Sequence, residues 1–219
     1  AKSILNYQQG YDFDLVKVTP ASSYCLRDWG IEDEWRGASE GTRQYTRRVI
    51  HEPDDWHKLP VLDPHQGALG RQLTCLKLLK QALEPETPVI QTIFNPLSQA
   101  KNLVGGDQLP VHLRRYPEDV QAGLEIITEG ARRYIEVIAE LGISGIFYAV
   151  QHAQYGLLSE EEYLVFGKKY DVELLGHEKS LWLNMLHLHG EQVMFDLFTD
   201  YPVQVINWHD RDTPPNLKA

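Results

Sequence analysis

The hydrophobic pattern of the chain consists of short, continuous apolar runs separated by longer amphipathic stretches. Continuous runs of this length are typical of parallel strands covered on both faces, whereas strands exposed on one face alternate apolar and polar residues. The pattern therefore predicts five strands, at residues 13–18, 89–94, 143–150, 181–186 and 203–208.

The stretches between these runs carry helix signals. Apolar residues recur at helical spacing over residues 66–83 and 117–141, and Ser159 with Glu162 matches a capping box. The chain opens in a helical pattern as well. Two further helices are predicted, one over residues 191–198 and one that begins at Thr213-Pro214-Pro215.

Alternating strands and helices predict either a doubly wound sheet or a (β/α)8 barrel. A doubly wound nucleotide-binding sheet needs a glycine-rich phosphate turn after a strand, and none of the five predicted strands is followed by one. A barrel instead places polar functional residues at the carboxyl ends of its strands. This sequence has such residues there, so we predict a single TIM-barrel domain over residues 1–219, with about five of the eight strands.

Hydrogen-bonding side chains follow the predicted strands. In a barrel the strand ends converge on one mouth, so side chains that are distant in sequence become neighbours. We expect a substrate to contact the side chains at this mouth, namely Ser22, Ser23, Tyr24, Asn95, Gln151, Asn207 and Trp208.

Four of the nine histidines stand just beyond three consecutive predicted strands. His187 and His189 flank one residue, so strand alternation points both imidazoles the same way, and such a pair can hold Zn²⁺ or another transition metal. Imidazole also acts as an acid or base near neutral pH, which makes His187, His152 and His209 candidate catalytic residues, with Asp210 as a partner that orients a ring. A single histidine after a strand is more often a hydrogen-bonding loop residue, and only the clustering favours a functional site.

Charge and cysteine content restrict the function classes. The 219 residues carry a formal net charge of −10 without a run rich in lysine and arginine, which argues against a nucleic-acid interface and against binding to anionic membranes. No apolar run is long enough to span a bilayer. The two cysteines, Cys25 and Cys75, stand too far apart for a CxxC pair, so we predict no disulfide scaffold and a cytoplasmic location.

Three segments are distinctive: residues 11–18, residues 158–163 with Phe166-Gly167 and Tyr170, and residues 203–208 with Asp212-Thr213-Pro214. In this order they resemble the uroporphyrinogen decarboxylase family, at its second barrel strand, after its fourth strand and in a signature stretch at its sixth strand. The resemblance implies that the chain carries barrel strands two to six. The first strand and the last two would then lie outside it.

The resemblance implies one of two chemistries. The decarboxylases of the family are lyases of porphyrin biosynthesis that hold a carboxylated tetrapyrrole with an aspartate after the second strand and need no cofactor. The methyltransferases of the family serve corrinoid proteins or thiols and bind zinc through an H-x-C motif after the fifth strand and a later cysteine. This chain departs from both patterns, because Ser22 and Ser23 stand where the aspartate would be and His189 replaces the cysteine of the motif. Imidazole can replace thiolate as a zinc ligand.

Three hypotheses follow from the residues and the resemblance. The first is a decarboxylase-like enzyme that acts on a tetrapyrrole-like carboxylated substrate and requires no cofactor. The alternative is a zinc-dependent methyltransferase that uses His187 and His189, with a corrinoid protein as a partner. The third is a non-catalytic barrel that binds a porphyrin or a corrinoid. The resemblance also allows a homodimer, since members of the family often pair.

Overall fold

The computed structural model describes residues 1–38 and 42–217. Its strands, in chain order, are β1 (Val16–Val18), β2 (Glu32–Glu34), β3 (Gln44–Arg47), β4 (Val89–Phe94), β5 (Gly145–Val150), β6 (Met185–Leu188) and β7 (Val205–Trp208). Five of them form one parallel sheet in the order β1-β4-β5-β6-β7, while β2 and β3 form an antiparallel pair. The sheet strands follow one another in chain order, as in an α/β barrel, whereas a doubly wound sheet reverses its order at a switch point.

Helices cover the sheet on the outside. They are α1 (Lys2–Tyr11), α2 (Gly67–Ala82), α3 (Pro96–Val104), α4 (Leu109–Arg115), α5 (Pro117–Glu140), α6 (Glu160–Tyr163) and α7 (Lys169–His177), with a π-helical turn (Leu164–Lys168) between α6 and α7. The helices predicted over residues 66–83 and 117–141 are confirmed to within a residue at each end, as α2 and α5. The capping box is confirmed too: Glu162 N donates to Ser159 Oγ at 3.1 Å, and Ser159 N donates to Glu162 Oε2 at 2.9 Å.

Two of the predicted strands differ from the observed ones by more than two residues at one end, whereas those predicted over residues 143–150 and 203–208 begin two residues later, as β5 and β7. The strand predicted over residues 13–18 is regular only over β1. The strand predicted over residues 181–186 lies further along the chain, as β6. At its entrance the side-chain carbonyl of Asn184 accepts a hydrogen bond from Ile146 N at 3.2 Å, while Asn184 N donates to Gln204 Oε1 at 2.7 Å. Side chains therefore replace part of the backbone ladder here, and regular pairing begins one residue later.

Two of the predicted helices are wrong. Over residues 191–198 only Phe195–Phe198 forms a 3-10 turn, because Val193 pairs with Gln154 in an isolated antiparallel bridge. The helix predicted at Thr213 is absent from the chain as far as residue 217, which forms turns and bends there. Thr213 is buried, and its hydroxyl accepts a hydrogen bond from Val193 N at 3.1 Å instead of capping a helix.

A buried carboxylate joins the helical layer to the sheet. Asp171 of α7 accepts hydrogen bonds from the hydroxyls of Tyr148 at 2.8 Å, Tyr163 at 2.5 Å and Tyr201 at 3.0 Å, and from the amide of Asn95 at 3.0 Å. Burial raises the pKa of Asp171, and these four donors lower it in part. The contacts link β4, β5, α6, α7 and the segment that leads into β7.

Helix α5 packs closely against the segment between β3 and α2. Trp56 in that segment is fully buried, and its indole donates to His112 Nδ1 at 3.1 Å. A methyl group added at Gly123 would overlap the Trp56 ring, whereas one added at Gly130 in the same helix would meet only Leu62 N, at 3.8 Å. Gly123 is therefore required by packing, and Gly130 is not.

We predict that Gly123→Ala lowers the free energy of unfolding by about 1–3 kcal/mol, because the Trp56 ring cannot move away without disturbing a close-packed contact. Gly130→Ala is the matched control and should be neutral or stabilising by up to about 1 kcal/mol, because alanine favours a helix over glycine. Urea unfolding followed by tryptophan fluorescence measures both variants. Equal stability of the two variants would contradict the packing argument.

Candidate metal centre

The pairing of β6 with β7 determines which side chains share the inner face of the sheet. His187 is in register with Asn207, and Met185 with Val205. The alternate residues of β6, Leu186 and Leu188, are buried on the opposite face. Because side chains alternate along a strand, His187 and Asn207 face the barrel interior side by side.

Three imidazoles meet beyond these strands. The ring centroids of His187 and His189 are 5.7 Å apart, those of His187 and His209 are 5.9 Å apart, and those of His189 and His209 are 5.6 Å apart. One ligand atom from each ring lies within 4.8 Å of the other two. His187 is half-buried, whereas His189 and His209 are exposed. We call these three residues the imidazole cluster.

The surroundings of His187 favour a neutral ring with one nitrogen available. Its Nδ1 lies 2.6 Å from the amide oxygen Oδ1 of Asn207, so Nδ1–H donates and the lone pair remains on Nε2. The ring stacks on Phe147, with 5.0 Å between centroids. Burial lowers the pKa of His187 to about 4, an effect that the hydrogen bond to Asn207 partly opposes. A neutral imidazole is the form that binds a metal.

The donor set of the imidazole cluster fits a transition metal. Imidazole nitrogen suits zinc, copper, iron and nickel, whereas calcium and magnesium take oxygen ligands. The ligand atoms of a tetrahedral zinc site stand roughly 3.4 Å apart. The ligand atoms of the cluster lie within 4.8 Å of one another, so they would have to move closer together to reach that spacing. Three imidazoles would leave the fourth zinc position open, as in catalytic zinc sites.

A cleft of about 850 Å³ adjoins the cluster at the carboxyl ends of β1, β4, β5 and β6. His189 belongs both to the cluster and to the wall of the cleft. His152, predicted as a catalytic residue, lines the cleft rather than joining the cluster, and so do Ser22 and Gln151. Asp107 is the only carboxylate among the described residues that line the cleft.

The other predicted site residues lie away from the cleft. Tyr24 is buried and donates to Thr92 O at 2.8 Å, and Ser23 is fully buried beside it. Asn95 is buried, where its side chain caps α3 and contacts Asp171.

At the end of β7, Trp208 alternates to the outer face of the strand and donates to Pro215 O at 2.9 Å. Asp210 faces Arg211 at 3.8 Å, and it is Asp212 that approaches His209, with 3.7 Å between Oδ2 and Nδ1.

Comparison with known proteins places this geometry in a family. The sequence model of the family described as "Uroporphyrinogen decarboxylase (URO-D)" matches residues 13–218. The chain belongs to the uroporphyrinogen decarboxylase family. The resemblance inferred from the three sequence segments is thereby confirmed.

One sequence relative of this uroporphyrinogen decarboxylase family chain and one solved structure of similar fold are methyltransferases by name. The Methylcobamide:CoM methyltransferase MtbA of Methanosarcina acetivorans is 26% identical over 145 residues, which cover 66% of this chain and 42% of the relative. A solved structure, a methyltransferase from Methanosarcina mazei, superposes with a TM-score of 0.80 at 18% identity, over 93% of this chain and 60% of that one. This likeness, with the five-stranded parallel sheet, confirms the predicted barrel fold. The chain spans less than half of the curated relative's length.

Two lysines near the site were not among the predicted residues. Lys17 faces the barrel interior between the buried Val16 and Val18, with Nζ 3.9 Å from the centroid of the Phe147 ring. A charged residue inside an apolar strand was the available signal for Lys17. Lys101 of α3 lines the cleft, and a lysine in an amphipathic helix gives no such signal.

No helix among the described residues combines the length and the hydropathy needed to cross a membrane.

We predict that acid destabilises the protein through His152. Burial lowers the pKa of this imidazole to about 3, whereas an unfolded chain has the ordinary value near 6.5. Neutral His152 therefore contributes fully to the free energy of unfolding above about pH 6.5. This contribution is lost as the pH falls from about 6.5 towards 3. At about pH 5 the loss from this residue is about 2 kcal/mol.

His152→Gln should therefore lose less stability than the wild type when metal-free protein is moved from pH 7.5 to pH 5, as measured by urea unfolding. His65→Gln changes an exposed histidine and should keep the wild-type dependence. An equal loss in wild type and His152→Gln would show that His152 is protonated as readily in the folded state as in the unfolded one.

Proposed function

We propose that this chain carries the metal-binding part of a methyltransferase site, in which His187, His189 and His209 hold a zinc ion. The substrate would be a thiol, and the methyl donor a corrinoid carried by a partner protein. The observation that supports this most directly is the convergence of three imidazoles from β6 and β7, with ligand atoms within 4.8 Å of one another.

His209 would supply a third ligand from within this chain. The methyltransferase pattern uses a later cysteine as the third protein ligand, and the cluster instead offers an imidazole two residues beyond Asn207. All three ligands would then be neutral nitrogens, and the thiolate would bring the first negative charge to the metal. Such a site would donate less electron density to a bound sulfur than a site with cysteine ligands.

Bound zinc would lower the pKa of a thiol at the open position, so that the sulfur reacts as a thiolate near neutral pH. In the overall transfer the thiol would lose its proton to solvent, its sulfur would bond to the methyl carbon, and the carbon–cobalt bond would break with its electron pair left on cobalt. Asn207 would keep His187 in the tautomer that presents Nε2, and Phe147 would hold the ring in place by stacking.

Decarboxylation of a tetrapyrrole-like substrate, our first hypothesis from sequence, has less support. The described part of the cleft wall that follows β1, from Thr19 to Ser22, contains no carboxylate that could hold pyrrole N–H groups. Only the family match favours decarboxylation, because the description of the family names a decarboxylase. The curated relative named above is a methyltransferase.

We predict that the metal-free protein binds about one equivalent of zinc in competition with a chromophoric chelator. Loss of a residue that merely orients a ligand weakens metal affinity by about 10- to 100-fold, so His187→Ala should weaken it by more than about 100-fold. His65→Ala, at an exposed histidine outside the cluster, should bind zinc as the wild type does. Wild-type affinity in His187→Ala would exclude the imidazole cluster as the metal site.

A second prediction concerns the reaction. The zinc-loaded protein should demethylate methylcobalamin in the presence of a thiol, and the corrinoid absorption spectrum reports the loss of the methyl group. Chelator treatment and His189→Ala should each abolish the rate. Consumption of uroporphyrinogen that is insensitive to chelator, without demethylation, would instead establish the decarboxylase hypothesis.

A further inference from the structure

The cleft beside the imidazole cluster contains a lysine that has no acidic partner among the described residues. Lys101 of α3 lines the cleft, and its Nζ donates to the side-chain oxygen of Asn102, at 3.2 Å. Within residues 1–38 and 42–217 no carboxylate forms an ion pair with it. Asp107 also lines the cleft but is exposed and makes no ion pair with Lys101.

A second cation stands behind this lysine. Arg48 donates to Asn102 O at 2.6 Å and lies over the Tyr45 ring, 4.9 Å from its centroid, again with no ion pair among the described residues. Burial lowers the pKa of Lys101, and the Arg48 charge lowers it further. Lys101 and Arg48 are both partly buried, and positive charges in such positions without a carboxylate partner attract an anion.

His152 supplies an independent observation at the same place. Its side chain is only 8% exposed and lines the same cleft as Lys101. Its Nδ1 is buried and has no hydrogen-bond partner in the described structure. Because this nitrogen is enclosed, a ligand in the cleft meets the part of the His152 ring that lines it, beside a lysine that has no carboxylate partner among the described residues.

We propose that Lys101 and His152 form an anion-binding site that takes the carboxylate, sulfonate or phosphate group of a small-molecule ligand. The ammonium supplies the charge, and the imidazole supplies a hydrogen bond. His189 lines the same cleft, so a ligand anchored at Lys101 can extend towards the imidazole cluster. Only this last step, in which the anionic group orients a substrate towards the metal, rests on the proposed function.

The test uses metal-free protein, so that anion binding is measured separately from zinc binding. Acetate, methanesulfonate and inorganic phosphate are titrated at constant ionic strength and followed by calorimetry. The wild type should bind at least one of them at a single site, and the preferred anion identifies the chemical class of the ligand. Lys101→Met keeps the length of the side chain without its charge and should bind about 10- to 100-fold more weakly, as expected for a charge-assisted hydrogen bond.

Three further variants complete the test. Lys101→Arg should retain binding, His152→Gln should weaken it, and Lys77→Met, which removes an exposed lysine of α2, should bind as the wild type does. Wild-type affinity in both Lys101→Met and His152→Gln would overturn the proposal, as would failure of all three anions to bind the wild type. If Lys101→Met does not fold, the affinities of Lys101→Arg and His152→Gln decide.

The outcomes separate this proposal from the proposed function. Zinc binding without anion binding would support the proposed metal site and contradict the proposed anion site. Anion binding through Lys101 without zinc binding would support the anion site and contradict the metal site. Lys101→Met should bind zinc with wild-type affinity, because Lys101 is not a member of the imidazole cluster.

Discussion

The parallel hydrogen-bonded register of β6 on β7 is the constraint on which the rest of the site depends. It pairs His187 with Asn207, which fixes the ring nitrogen that points away from the strand, and it brings His189 and His209 to the same level beyond the strand ends. A shift of one residue in either strand would turn its inward side chains to the opposite face. The cluster therefore exists only in this register.

The network around Asp171 stabilises the scaffold behind that register. The carboxylate joins two helices to the ends of β4 and β5, and Asn95 extends the network by capping α3. The hydroxyl of Ser98, in the first turn of α3, then accepts a hydrogen bond from Gln151 N at 3.2 Å, next to His152. A continuous series of polar contacts thus runs from the outer layer to the wall of the cleft.

The sequence was sufficient to predict the barrel and the convergence of histidines, because continuous apolar runs and strand alternation are local patterns. It could not predict that Asn207 contacts His187, since pairing between neighbouring strands is not encoded at either position alone. The predicted position of β6 was wrong because the Asn184 side chain replaces part of the backbone ladder, so regular pairing begins only at Met185. Thr213 resembled a helix cap, yet a distant amide at Val193 is its partner. The place of Lys101 in the cleft could not be predicted either, because the residues that line the cleft with it come from elements far apart in the chain.

The geometry after β6 has one more consequence. Residues two apart on a strand are separated by about 6.6 Å, yet the rings of His187 and His189 are only 5.7 Å apart, on a chain that turns at Gly190 with φ +104°. Gln154 ties this turn to the end of β5 by donating to His189 O and Gln151 O. One imidazole thus belongs to the rigid sheet and its neighbour to a turn. Evolution can therefore change the position of the second imidazole through loop residues alone, without altering the fold that carries the first.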